Sequence, residues 1–340
     1  MLNKKAKNEG TKETGTKETG SKETGTKDTR IKVPKMIKHL EKYIGSLIEN
    51  VDSKKIPKTM NVIFDGGCMN GFYAIGIGMY INELKKNGLK INKVSGCSAG
   101  AIVAVNFLVG NFNNWETPFK QMIESFRNRQ NASAWLDIIR DNIFLLFDND
   151  TTSLDKIQDK LYISYYDISK HKQCVIHKYA SREELVEYII RSSFVPYIVN
   201  GNKYYKKTYI DGITPYIFND SDEHPSLFVQ LVGGKRIARA LMTKNEVNLH
   251  HRILSGLADA NDFFTTGSSA MCSYVNNWTT IDKLLFHARP LFFFTIFTIL
   301  EVLITCRKSV PDFIHNNLLC QSIERFIKEI YKEIVRSFFI

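Results

Sequence analysis

The chain has no C-x-x-C pair; its six cysteines (Cys68, Cys97, Cys174, Cys272, Cys306 and Cys320) are scattered along its length. That spacing argues against a zinc ribbon and a dithiol redox motif, and it reads as free thiols in a reducing compartment. No H-E-x-x-H pair, EF-hand loop or P-loop occurs, since Gly233-Gly234-Lys235 lacks the first half of that last motif. Neither a metal nor a cofactor is therefore expected. The opening stretch from Met1 to Gly10 carries no apolar run, so no secretory signal is expected. The protein is expected in the cytoplasm or on the cytosolic face of a membrane. No RNA or DNA module signature occurs, so a nucleic-acid partner is not expected.

What is present is ordinary in bulk and uneven in distribution. Of the 340 residues, 44% are apolar and 24% charged, enough for a substantial core. The formal charge is +11, yet residues 1–58 hold 15 Lys/Arg against 8 Asp/Glu, which leaves the rest nearly balanced. Such a basic appendage suits an anionic membrane surface. Residues 10–29 repeat GTKET, GTKET, GSKET and GTKDT, units with nothing to bury, so residues 1–33 read as a disordered basic arm. Residues 34–58 read as a helix and a linker. Ile37, Leu40, Ile44, Leu47 and Ile48 recur there at helical spacing, to pack on the body or to lie on a membrane.

Residues 59–285 alternate strand and helix patterns. Asn61–Phe64 and Ile91–Val94 read as strands, Gly71–Leu84 and Ala99–Leu108 as helices, and 113–150 as mostly helical. Leu161–Asp167 and Gln173–His177 read as a strand pair about a polar turn, Glu183–Arg191 as a helix and Leu227–Val232 as a strand. This alternation implies a mainly parallel sheet with helices on both faces.

Two glycine-rich turns in that body carry the chemistry. Gly96-Cys97-Ser98-Ala99-Gly100 is a G-x-S-x-G elbow, which lifts a serine oxygen clear of a sharp strand-to-helix turn. Upstream, Gly66-Gly67-Cys68-Met69-Asn70-Gly71 would expose backbone N–H groups at a helix start, where an oxyanion can bind. Together with Asp211-Gly212, these motifs resemble the patatin-like lipid acyl hydrolases. Phe72-Tyr73-Ala74-Ile75-Gly76 is similar to the continuation in the adiponutrin and adipose-lipase branch, and Ser192-Ser193-Phe194-Val195-Pro196 to the family's A-S-x-x-x-P segment.

The resemblance covers roughly residues 60–270. It implies a three-layer α/β/α fold, with Ser98 as nucleophile and Asp211 as general base in a dyad without histidine. It implies an oxyanion hole from the N–H groups of Gly66, Gly67 and Cys68, with Gly71, Gly96, Gly100 and Gly212 as motif glycines. The activity implied is phospholipase A-type ester cleavage through an acyl-serine. Membrane phospholipid is the first substrate, acylglycerol the second, and a membrane or lipid-droplet surface the partner. Three positions depart from the pattern: Cys68 replaces a glycine, Asn70 a basic residue, and Ile213 the usual glycine or alanine after Asp-Gly. Two other readings stay open. One is a conventional α/β-hydrolase triad of Ser98, Asp211 and His250 or His251. The other is a non-catalytic membrane-associated scaffold that keeps the fold.

Residues 286–340 form an apolar and amphipathic tail, expected to be helical and to anchor the protein to a membrane. Leu291–Thr305 is almost wholly apolar, interrupted by Glu301 and shorter than the roughly 20 residues a span requires. It reads either as a buried or interfacial helix or as a single membrane segment near 290–306. From Leu318, Ile323, Phe326, Ile327, Ile330, Ile334 and Phe338 form a further stripe.

Overall fold

A computed structural model describes residues 35–112, 115–129, 132–147, 152–218, 223–233 and 250–309, with single positions at 236, 240 and 242 and between 318 and 333. The basic arm and most of the stripe after residue 317 lie outside the described residues.

Seven strands form one sheet: β1 Thr59–Phe64, β2 Lys90–Gly96, β3 Leu161–Asp167, β4 Lys172–Ile176, β5 Tyr209–Ile210, β6 Ser226–Val229 and β7 Cys272–Tyr274. Their order is β4-β3-β2-β1-β6-β7, with β5 also on β3. The central four, β3-β2-β1-β6, run parallel, and the pairings of β4, β5 and β7 are antiparallel. The strand reading of the sequence holds closely: β1, β3 and β6 are short and mostly buried, and β2 is buried from Val94 to Gly96.

Side-chain alternation along the strands sorts the helices into layers. Helices α1 Lys35–Ile48, α2 Gly71–Lys86, α3 Ala99–Val109, α4 Glu116–Arg129, α5 Trp135–Phe147, α6 Thr152–Asp155, α7 Arg182–Ser192, α8 His250–Thr266 and α9 Thr280–Ser309 are described. Phe64 meets Phe107 of α3, Tyr165 meets Tyr188 of α7, and Tyr274 meets Phe263 of α8, so these helices cover one face. α2 packs between α3 and α8, and α1 rests on α2 with Ile44 and Ile48 buried. On the other face, Ile63 and Phe228 pack with Phe218, Val275 and Phe286, flanked by Tyr162, Tyr216 and Trp278. Further along, Tyr166 meets Phe294 edge-on at 5.3 Å. Phe286 and Phe294 both belong to α9. That helix is therefore the layer on the second face, which completes a three-layer α/β/α fold.

The apolar run of the tail is thus part of a longer helix that begins at Thr280, six residues before the tail boundary read from sequence. Its start is a capping box: the Thr279 hydroxyl accepts from the Asp282 N–H, and the Asp282 carboxylate accepts from the Thr279 N–H. Asp282 and Lys283 broke the apolar run and hid this beginning. By length and composition, Thr280–Val302 is long and apolar enough to cross a membrane.

Candidate active site

Ser98 sits between the end of β2 and the start of α3 with φ 52° and ψ −129°. A side chain there is strained, which persists only when its surroundings hold it. The Ser98 N–H donates to Ser192 Oγ at 2.8 Å, and Ser192 Oγ donates to the Ser164 carbonyl at 2.7 Å. Gly100 brings the first turn of α3 against the end of β1. A Cβ there would stand 2.3 Å from the Phe64 oxygen and 2.4 Å from that of Asp65, so only glycine fits. Gly96 lies directly against Gly100.

The second turn begins where β1 ends. Gly66 flanks the nucleophile position, since a Cβ on it would lie 3.3 Å from Ser98 Cβ. A short 3₁₀ turn, Cys68–Asn70, leads into α2 at Gly71, which packs on Ala99. Cys68 has φ 50°, a second strained residue. Desolvation pushes its thiol up to about 12, so it remains a protonated thiol. The Met69 N–H donates to the Ala240 carbonyl, whereas the N–H groups of Gly67 and Cys68 have no acceptor among the described residues. The Gly66 N–H bears on both the Asp65 carboxylate and the Cys97 thiol.

Asn70 is fully buried. Its Nδ2 donates to the carbonyls of Leu231 and Arg236, each at 2.8 Å, and its Oδ1 accepts from Arg252 Nη1 at 3.0 Å. Arg252 lies on α8 and is itself fully buried. A cation therefore does reach position 70, brought by another helix.

Asp211 follows β5, whose Ile210 pairs with Tyr166 of β3. Its N–H donates to the Phe194 carbonyl at 2.8 Å, and the Gly212 N–H donates to the Ser192 carbonyl at 3.2 Å. Gly212 lies flat on the neighbouring strand: a Cβ there would come within 2.3 Å of the Ser164 oxygen and 2.8 Å of Cys97 Cβ. The segment 192–194 thus holds both Ser98 and Asp211. The Asp211 carboxyl is buried; Oδ1 accepts from the Ile213 N–H at 2.8 Å, and Oδ2 has no formed hydrogen bond. Burial pushes its pKa up to about 6, against the Ser98 hydroxyl and the Ile213 amide, while the charge of Asp65 adds to the rise. A catalytic pair at rest is often in reach without a fully formed bond. Ile213 has φ 57°, so two of the three departures from the family pattern, with Ser98 between them in sequence, occupy left-handed backbone.

His250 and His251 open α8, which crosses α2 where Gly256 touches the Tyr73 backbone. The Ser98 hydroxyl, the Ile213 amide and the charge of Asp65 act on Asp211.

Sequence reasoning missed a buried ion pair. Asp65 is wholly inaccessible, and Arg289 Nη1 of α9 donates to both of its oxygens, at 3.0 and 2.8 Å. The Leu231 N–H adds a longer contact at 3.4 Å. Burial pushes the Asp65 carboxyl above its ordinary range, and Arg289 opposes that rise. The available signal was Asp65 itself, a carboxylate that directly follows the apolar run Val62-Ile63-Phe64 and must find a cation when buried.

Beside β5 lies a cavity of about 330 Å³, lined by Tyr166, Pro196, Ile210, Phe294 and Phe297, with the Lys203–Glu301 ion pair on its wall. Two of these rings come from α9. Among the described residues, no group of three His, Cys, Asp or Glu is placed to hold a metal.

No protein-family model matches the chain, and no curated protein sequence matches it. Among solved structures it is similar to VipD from Legionella pneumophila at 12% identity, with a TM-score of 0.34, over 50% of this chain and 49% of that one. The aligned part is about half of each chain.

Proposed function

We propose that the protein is a patatin-like serine acyl hydrolase that cleaves the carboxylic esters of membrane phospholipids. The observation that carries this reading is the pairing of a strained, clamped Ser98 with a buried Asp211 whose pKa is raised to about 6. A carboxylate so poised is half ionised just below neutral pH and can take a proton from a hydroxyl. Ser98 Oγ attacks the acyl carbonyl while its proton passes to Asp211. The oxyanion is held by the N–H groups of Gly66, Gly67 and Cys68, of which those of Gly67 and Cys68 have no acceptor among the described residues. The alcohol leaves with that proton. Water, activated by Asp211, then hydrolyses the acyl-serine. No metal or cofactor enters any step.

The aromatic cavity beside β5 is lined by Ile210, the residue before Asp211, though by neither Asp211 nor Ser98, and is of a size that accommodates small ligands or part of an acyl chain. Helix α9 supplies the membrane contact. Its outer stripe of Leu284, Leu285, Leu291, Phe292 and Ile299 is exposed. Arg289, near the middle of Thr280–Val302, is bound to Asp65, which favours a helix that lies along a lipid surface over one that spans the bilayer. Acylglycerol cleavage by the same site is the second substrate reading.

The test is labelling by a fluorophosphonate probe in mixed phospholipid–detergent micelles, with wild type, Ser98→Ala and Asp211→Asn compared across pH. Ser98→Ala should not label. Asp211→Asn should label roughly 10²-fold more slowly, the lower range for loss of a general base. Wild-type labelling should rise through pH 6 and level off above it, as Asp211 ionises. A folded wild type that does not label would replace the hydrolase reading with the scaffold.

A further inference from the structure

We propose that Arg289 is a positioning residue for the oxyanion turn, which makes the apolar helix α9 part of the catalytic apparatus; the proposal rests on the hydrolase reading above. The turn is held at both ends by a guanidinium, fully buried in Arg252 and largely covered in Arg289. At its N-terminal end, Arg289 binds both oxygens of Asp65, the residue directly before Gly66 and Gly67. At its C-terminal end, Arg252 of α8 binds Asn70 Oδ1. The two clamps meet at Leu231. Its N–H contacts Asp65 Oδ2, its carbonyl accepts from Asn70 Nδ2 and its Cβ packs so close to Gly67 that a Cβ there would stand 2.6 Å away.

The sheet and its neighbours fix every other part of this frame. The Asp65 N–H donates to the Val229 carbonyl at 3.0 Å, which holds the main chain. The carboxylate is held from outside the sheet, by α9, whose outer side is exposed. Arg289 is itself oriented, with its guanidinium 5.4 Å from the Phe286 ring and 6.0 Å from that of Phe228. Asp65 itself is wholly inaccessible, so while Arg289 is in place no water reaches its oxygens from solvent. Asp211 and Cys97 both lie within the field of Asp65. Without Arg289, Asp65 would sit as an uncompensated carboxylate against the turn and would shift to neutralise or hydrate itself. The amides that follow it would move with it. A misplacement of about 1 Å at such donors costs on the order of 10²-fold in rate.

The experiment compares steady-state hydrolysis of a short-chain p-nitrophenyl ester by wild type, Arg289→Lys, Arg289→Gln, Asp65→Asn and the double variant D65N/R289Q. Ser98→Ala supplies the background, and near-ultraviolet circular dichroism the check on folding. Arg289→Gln should lower kcat roughly 10²-fold with KM nearly unchanged, because oxyanion donors act on the transition state. Arg289→Lys should recover part of that loss. The double variant should lose no more than the worse single variant, since the two residues act as a unit. It also keeps no unpaired buried charge, so it remains informative if Arg289→Gln fails to fold. Wild-type kcat in folded Arg289→Gln or in the double variant overturns the proposal, and so do single losses that add in the double. Ser98-dependent turnover in wild type with unaffected variants removes this inference alone. No Ser98-dependent turnover in wild type removes the hydrolase reading and this inference with it.

Discussion

Asp211 holds a carboxylate where water does not reach it, and that costs stability. Its pKa of about 6 in the fold stands above the ordinary 3.8, because burial penalises the charged form. The folded state therefore prefers Asp211 protonated. The stability contributed by this preference is present at low pH and is lost as pH rises through the interval from 3.8 to about 6. About two pKa units correspond to about 3 kcal/mol. Asp211→Asn keeps the shape and removes the charge, so it should be more stable than wild type at pH 8, by up to about 3 kcal/mol. That advantage should shrink to near zero below pH 4. Urea unfolding at the two pH values measures it. A variant no more stable than wild type at pH 8, or equally favoured at both, would show that Asp211 is not a strained buried base. The variant that gains stability is the one expected to lose labelling, as strained functional groups do when relieved.

Above single residues, one short segment ties the pair together. Residues 192–194, where α7 ends, accept from the N–H groups of Ser98, Asp211 and Gly212 and donate to β3. Ser192→Ala leaves the Ser98 amide and the Ser164 carbonyl without their partner. The expected cost is about 1–3 kcal/mol of folding stability and a clear loss of labelling rate, with recovery in Ser192→Thr, which keeps the hydroxyl. Unchanged labelling in folded Ser192→Ala would mean that the elbow holds itself. This segment was legible from its resemblance alone, as were both glycine turns, because each is a local pattern of residue type and spacing. The strands were legible for the same reason. What escaped notice is non-local. Asp65 and Arg289 are 224 residues apart, and no periodicity links them. Arg252 follows two histidines, His250 and His251, yet its face of α8 is buried on α2. The departure at Asn70 looked like a lost cation, and only tertiary packing shows the cation returning from Arg252.

For the molecule as a whole, α9 faces two ways. Phe286, Arg289, Phe294 and Glu301 face the sheet, the turn after Asp65 and a cavity wall. Leu284, Leu291 and Phe292 face outward, each at least 60% exposed. A tail that served only as an anchor could be cut away, but truncation before residue 286 would strip Phe286 from the second core cluster and leave Asp65 uncompensated. Truncation should therefore unfold the protein rather than release it. A cleaner separation changes the outer stripe alone. Each exposed Leu or Phe that enters a lipid surface contributes roughly 1.5–3 kcal/mol, so Leu284→Glu with Phe292→Glu should abolish flotation with phosphatidylcholine–phosphatidylserine vesicles. Hydrolysis of a soluble short-chain ester should persist, because neither side chain faces the site. Flotation equal to wild type would remove α9 as the membrane contact and turn attention to α1, whose exposed Tyr43 marks the other candidate face. Loss of soluble turnover together with flotation would mean that the outer stripe stabilises the active site even without lipid. Soluble turnover without flotation would place lipid contact and catalysis on opposite faces of one helix, where Arg289 reaches the oxyanion turn.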